Sequence, residues 1–361
     1  MLDRLPVELL AHLLRVAAPL VWPEEEDGER RRLLSSLCLV CRRVRDVAQP
    51  MLPEVFAVDQ ERHVARFSEG DPPRGQLVKT LVLHEFYDMP WPVEATLGAC
   101  KNVVDLRLFF LMEFDLGLLA DLKNLRHLTT MYTNPTCPPN LVLPNLVSVA
   151  LAGRTLQISF LEAFLTSTRL PSLRSLSIEL SSGDSREYGT RKLPPLPLSL
   201  LQQLDDLVVD ASDIPLADLP SLEPAPVLVD CYSSQLNALC SDPAPFPSAI
   251  RLYGLEQLPY ASAADFQGSG LSGVHRALDS LAARLAPAET SKKPRAVLLP
   301  QALRPDGEPL YHLVEKTMTG IIDACGRGGV EVLWEPSRDR QIESRLSSVF
   351  REWVLRERRK E

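Results

Sequence analysis

Val78-Lys79-Thr80-Leu81-Val82-Leu83, Val103-Val104-Asp105-Leu106-Arg107-Leu108 and Leu125-Arg126-His127-Leu128-Thr129-Thr130 share one pattern, apolar-x-x-apolar-x-apolar. It returns at Leu146-Val149-Leu151, Leu173-Leu176-Ile178 and Leu204-Leu207-Val209. Weaker copies start at Pro224 (Val227, Val229) and Pro247 (Ile250, Leu252). Successive starts lie 25, 22, 21, 27, 31, 20 and 23 residues apart. The last three positions of each copy alternate, which is the period of a strand. Between copies, Pro92–Lys101, Leu116–Leu122 and Phe160–Thr166 fit a short helix, while Pro194-Pro195-Leu196-Pro197 offers only turns.

A strand and turn of this size cannot cover its own apolar face. Stacked neighbours bury a continuous core and pair their backbones as parallel strands. The spacing resembles that of leucine-rich repeats, whose units run about 20–29 residues. The expected fold class is therefore α/β: a short helical segment, then a leucine-rich-repeat-like solenoid over residues 77–340. Its strands are parallel, with helices or loops on the convex side. A doubly wound α/β sheet also alternates strands and helices, but its units need about 30 residues or more. In the last quarter, Gly270–Ala286 and Pro309–Cys325 read as longer amphipathic helices beside strand-like Ala296–Leu299 and Val330–Trp334. A closing helix within residues 341–361, ending near Arg356, is expected to cap the open end of the stack.

The bulk numbers suit such an array. The chain has 361 residues, 45% hydrophobic and 24% charged, too long for one ordinary core. Its net charge of −8 argues against a general nucleic-acid binder. Thirty-one prolines are spread along it like repeated punctuation. Seven cysteines, an odd number without a framework of spacings, favour free thiols in a reducing compartment. Glu8, His12 and Arg15 break the first apolar stretch, so no secretory leader is expected. No stretch reaches the roughly 20 apolar residues of a membrane span. Cytoplasm or nucleus is the expected location, with neither membrane nor nucleic acid as partner.

Ahead of the repeats, Leu9, Leu10, Leu13 and Leu14 form an apolar helical stripe, with Pro6 tolerated in the first turn and Glu8 facing the positive end of the helix dipole. Glu24–Arg32 reads as a solvated connection. Leu33, Leu37, Val40, Val44 and Val47 keep a second helical period until Pro50 and Pro53 stop it. So small a unit buries little area and needs something else to pack on.

Three blocks then stand in order: Leu5-Pro6-Val7-Glu8-Leu9-Leu10, Leu37-Cys38-Leu39-Val40-Cys41-Arg42-Arg43 and Ala48-Gln49-Pro50-Met51-Leu52. Together they resemble the F-box family, of a fungal type, over roughly residues 2–56. Two departures are Val44, where the family often has tryptophan, and a longer loop before Leu33. The resemblance implies docking on a Skp-type adaptor that links the chain to a cullin scaffold and a ubiquitin-charged enzyme. Leu5, Pro6, Glu8, Leu9, Leu10, Leu13, Leu37, Val40 and Cys41 are the residues it implies at the adaptor. Read from periodicity alone, the same helices equally suit a small cap on the following domain. The expected organisation is 1–56 F-box, 57–76 linker, 77–340 repeats and 341–361 final helix.

No motif points to catalysis, metal or cofactor. Gly268-Ser269-Gly270-Leu271-Ser272-Gly273 matches G-x-G-x-x-G, but no strand precedes it, so a nucleotide-binding α/β enzyme is the least favoured reading. Cys38 and Cys41 lack two further ligands for zinc and read as helical core. The residues beside the inner leucines should face the concave side. They run from Thr80, Val82 and His84 through Asp105, Arg107 and Phe109 to His127, Thr129 and Met131. Small residues follow (Ser148, Ala150, Ala152, Ser175, Ser177), then Glu179, Asp206, Val208 and Asp210. His84, Arg107, Phe109, His127 and Met131 are the candidate contacts to a target protein. The functional expectation is a substrate receptor of a Skp–cullin–F-box ubiquitin ligase, with a non-catalytic repeat scaffold outside that system as the alternative.

Overall fold

The computed structural model describes residues 5–17, 26–58, 74–84, 93–111, 113–153, 156–180, 192–214, 216–232, 247–253, 279–283, 285, 294–301, 304, 311–335 and 347–360. The fold is α/β, with a large parallel sheet of eleven strands. Two compact units divide it. One comprises Met1–Val149, Thr155–Phe164 and Thr168–Ser172; the other comprises Ala150–Arg154, Leu165–Ser167 and Leu173–Glu361.

The first unit opens with helices α1 (Val7–Ala17), α2 (Glu26–Leu37) and α3 (Arg42–Ala48). Strands β1 (Val55–Val58) and β2 (Thr80–His84), helix α4 (Val93–Ala99) and strand β3 (Asp105–Phe109) follow. Next come β4 (Phe114–Asp115), β5 (His127–Met131), β6 (Pro135–Thr136), the start of β7 (Ser148–Ala152) and helix α5 (Ile158–Phe164). Strands β1, β2, β3 and β5 are parallel and adjacent in chain order. Leu81 pairs with Leu106 and Leu106 with Leu128, so the repeat pattern sets the register. All three leucines are buried, as are the leading residues Val78, Val103 and Leu125.

The second unit holds β8 (Ser175–Glu179), helix α6 (Leu198–Gln203), β9 (Asp206–Asp210), β10 (Val227–Tyr232) and β11 (Ala249–Tyr253). It continues with β12 (Ala296–Pro300), α7 (Tyr311–Gly328), β13 (Glu331–Glu335) and α8 (Ser348–Arg358). Its strands again pair in chain order, from Leu176 against Leu207 to Val297 against Val332. A doubly wound sheet reverses its order at a switch point; neither unit does so among its described strands.

Polar ties outside the strands reinforce the stacking of the first unit. Asn102 and Asn145 donate their side-chain amides to the carbonyls of Gln76 and Lys123, and Asn124 donates to the Asn102 side chain. Asn102, Asn124 and Asn145 each directly precede an apolar rung leader, and each ties its turn to the turn before.

Several expectations need correction. Pro53-Glu54-Val55-Phe56-Ala57-Val58 is an extra copy of the pattern, and β1 pairs with β2. The expected linker 57–76 therefore begins inside the sheet and ends in a helical turn, Arg74–Leu77; residues 59–73 lie outside the described residues. Helix α2 starts at Glu26, because glutamate and arginine are good helix formers and a charged run need not be a loop. The single second helix expected from Leu33 onward breaks at Cys38-Leu39-Val40, and Cys41 caps α3 by accepting from the Val44 amide through its thiol sulfur. The glycine motif at 268–273 and residues 341–346 lie outside the described residues. Of Gly270–Ala286, residues 279–283 and 285 are helical.

The final helix also differs from the expectation of an end cap. Phe350, Trp353 and Val354 of α8 pack with Val208, Leu228, Ala249, Ala296, Leu298 and Leu333, one on each strand from β9 to β12 except β12, which gives two, and one on β13. The helix thus lies across a sheet face instead of closing an edge.

Candidate functional site

The three N-terminal helices form a small core from Leu10, Leu14, Leu34, Val44, Ala48 and Met51. Helix α1 has a second apolar stripe, because Leu9 and Leu13, four residues apart, flank the buried pair. Leu9 is 44% exposed and Leu13 41%. Val7 on α1 and Leu33 on α2 are also exposed, and so are Leu39 at 80% and Val40 at 61% in the α2–α3 turn. Exposed apolar groups gathered on one small unit mark an interaction surface more often than a solvated one.

The sequence-derived adaptor residues divide between core and surface. Pro6, Glu8, Leu9, Leu13 and Val40 are exposed. Leu5 and Leu37 are half-buried against the core, and the Leu5 carbonyl accepts a hydrogen bond from Arg43. Cys41 is half-buried and occupied in capping α3. Leu10 is fully buried among the helices, so it shapes the surface from below and cannot touch a partner. Val7, Leu33 and Leu39 were absent from that set, although Val7 and Leu39 stand inside the quoted blocks.

In the first unit, His84, Phe109 and Met131 are register partners at one level of β2, β3 and β5. Arg107 lies beneath them and donates from Nε and Nη2 to Asp105 at 3.1 and 2.8 Å. The His127 ring nitrogen Nδ1 lies 3.1 Å from the Ser148 hydroxyl. His84, Arg107, His127 and Met131 are half-buried.

Phe109 corrects the expected anchor, for it is 1% exposed. Alternation points it away from the leucine layer, but the neighbouring strands flank it, with the His84 ring 6.1 Å away. The exposed rings come one residue later. Phe110 and Tyr132 stack at 4.9 Å, and His84 lies 5.1 Å from Phe110. Both adopt left-handed backbone, with φ of 57° and 51°. That conformation costs about 1–2 kcal/mol in an L-residue, and such strain often gathers at functional positions. The signal was present in the sequence: Phe110 and Tyr132 occupy the same place after successive rungs. Ser148, Ala150, Ala152, Ser175, Ser177 and Glu179, expected on the concave side, are each buried.

In the second unit Asp206 lies against α8, while Asp210 accepts from the Ser212 amide and hydroxyl. Asp206 is 3% exposed; one oxygen accepts from the Ser175 hydroxyl, and the other has no hydrogen-bond partner among the described residues. Burial pushes its pKa up to about 6, against the lowering pull of Ser175, Arg351 and Arg358. Folded Asp206 thus binds a proton more readily than in the unfolded chain. Its contribution to stability falls as pH rises from about 3.8 to about 6 and stays lost above that. That rise in pKa corresponds to about 3 kcal/mol. Urea titrations of the protein and of Asp206→Asn should show the variant gaining relative stability across this window. Parallel curves would refute this account.

Among the described residues, no group of three or more His, Cys, Asp or Glu side chains could hold a metal ion. No described helix is long and apolar enough to cross a membrane. No protein-family model matches the chain, and no curated protein matches it.

Proposed function

We propose that this protein is a substrate receptor of a Skp–cullin–F-box ubiquitin ligase, working in the cytosol or nucleus as a leucine-rich-repeat-like solenoid behind an F-box. The observation that carries the reading is the apolar surface of Val7, Leu9, Leu13, Leu33, Leu39 and Val40, on the helices whose sequence resembles an F-box. These side chains are left outside a core that is already complete. A Skp-type adaptor supplies the apolar cover they lack. The target docks on the strand-end surface of Phe110, Tyr132, His84, Arg107, His127 and Met131. The mechanism is proximity: tethering raises the effective concentration of the target beside a charged enzyme, and no residue here performs chemistry.

Leu9→Glu with Leu39→Glu tests the adaptor contact. Both side chains are exposed, so the thermal midpoint should stay within a few degrees. Burying a leucine is worth about 1.5–3 kcal/mol, so losing two should weaken adaptor binding about 100-fold or more. Calorimetric titration with a purified Skp-type adaptor reads this directly, and equal affinity for both proteins rejects the proposal. The competing reading is a repeat scaffold whose helices are only a cap. One observation favours it: α3 runs through a single 3-10 turn, Gln49–Met51, almost directly into β1, so the helices adjoin the first rung.

A further inference from the structure

The face of β9 to β13 in the second unit has the chemistry of a peptide groove. Its floor is aliphatic and small at the middle, where Ala249 pairs with Leu228 on one side and Ala296 on the other, with Leu298 two residues beyond Ala296 on β12. Small residues there let a helix approach closely. Its rim is acidic, with Asp205 half-buried just ahead of β9 and Glu331 half-buried on β13. Asp206 and Glu335 are buried, and Glu335 pairs with Arg251, itself paired with Asp230.

Helix α8 matches this face in both respects. Phe350, Trp353 and Val354, spaced i, i+3 and i+4, enter the floor. Arg358 pairs with Asp205 and also donates to the Leu204 carbonyl. Arg356 pairs with Glu331, whose other oxygen accepts from the Trp353 indole at 3.1 Å. Ser347 caps the helix and donates its hydroxyl to Glu335.

The match is incomplete at one point. Asp206 is buried beneath the helix with an oxygen that lacks a hydrogen-bond partner, and the nearest guanidinium contact, Arg351 Nε to its other oxygen, is 4.0 Å away. The rim pairs are also open to water, with Arg356 50% and Arg358 44% exposed, and such pairs contribute little. Helix α8 is held mainly by burial of Phe350, Trp353 and Val354, and tethering adds an effective concentration on the order of millimolar. A free helix that fills the same floor and brings a donor to Asp206 can outcompete it.

We infer that this face is a helix-binding groove, occupied intramolecularly by α8, which accepts a basic amphipathic helix of another protein in its place. Recognition is by an aromatic and aliphatic stripe flanked by arginine or lysine, as in α8 itself. The groove stands independently of the adaptor reading, since it uses no residue of the first unit.

The test uses the full chain and a fluorescent synthetic peptide of residues 347–360. Arg356→Glu with Arg358→Glu weakens the rim without touching the floor. Wild type should bind the peptide weakly, and the rim variant at least tenfold more tightly. Hydrogen exchange of residues 348–358 should quicken while strands β9–β13 stay protected. Adding Asp205→Arg to the rim variant restores a pair with α8 and should reverse both effects. Trp353→Ala, which loosens the floor contact, supplies a second variant with the same expectation; if it fails to fold, the rim variant decides. Peptide binding no tighter than that of a scrambled sequence in the folded variants overturns the inference. So does a variant dimer that the peptide cannot dissociate, because the groove then serves a second copy.

Discussion

Arg251→Ala should cost the protein about 3–5 kcal/mol of stability, because it strands two buried carboxylates. Arg251 is 4% exposed, Asp230 0% and Glu335 7%. Asp230 and Arg251 are register partners on β10 and β11. Nε and Nη2 of Arg251 reach the two Asp230 oxygens at 2.7 and 2.6 Å, a two-pronged fit that fixes the guanidinium plane. Nη1 reaches Glu335 at 3.3 Å. Removing the cation takes from both buried carboxylates the guanidinium that pairs with them. Arg251→Lys should recover only part of the loss, since an ammonium is a point charge without the planar fork. Replacing Arg251, Asp230 and Glu335 together by apolar residues of similar volume should cost far less than Arg251→Ala alone. Chemical denaturation monitored by circular dichroism measures all three. A loss below about 1 kcal/mol for Arg251→Ala would show that water reaches the network.

The repeating layer was legible because it obeys a local rule. Leu81, Leu106 and Leu128 recur at near-constant spacing, and each spacing becomes one lateral step of the sheet. The first rung was hidden because Pro53 to Val58 directly follows the F-box-like block Ala48-Gln49-Pro50-Met51-Leu52, which claimed the neighbouring residues for a different reading. The exposed apolar surface of the N-terminal helices was half legible. Periodicity showed that Leu9, Leu10, Leu13 and Leu14 share a side of α1, but only the packing of α2 and α3 decides that Leu10 and Leu14 go inside. The destination of α8 was not legible at all. An amphipathic stripe states that a helix needs cover, not where it finds it. The acid at Asp206 and Glu331 and the arginines of α8 were visible, yet they are more than a hundred residues apart in the case of Asp206, and no local pattern joins them.

Phe109→Ala and Phe110→Ala, adjacent in sequence, should have opposite consequences. Phe109 is among the largest fully buried side chains, and truncating a buried phenylalanine costs about 3–5 kcal/mol through lost transfer energy and the cavity left behind. Phe110 is 43% exposed, so its removal forfeits mainly the stack on Tyr132, worth about 0.5–1.5 kcal/mol. Its left-handed backbone, φ 57°, separates the ring from the strain. Phe110→Gly loses the same ring but relaxes that conformation, so it should be at least as stable as Phe110→Ala. If the strand ends are where a target docks, both Phe110 variants lose capture at nearly unchanged stability, and Tyr132→Ala does the same. Phe109→Ala then loses capture only in step with unfolding. Denaturation curves paired with affinity capture from cells in which the proteasome is inhibited distinguish these outcomes. Undiminished capture by stable Phe110→Ala and Tyr132→Ala would remove the stacked rings from target binding. A stable Phe109→Ala protein would mean that its ring is not the strand-end wedge its burial implies.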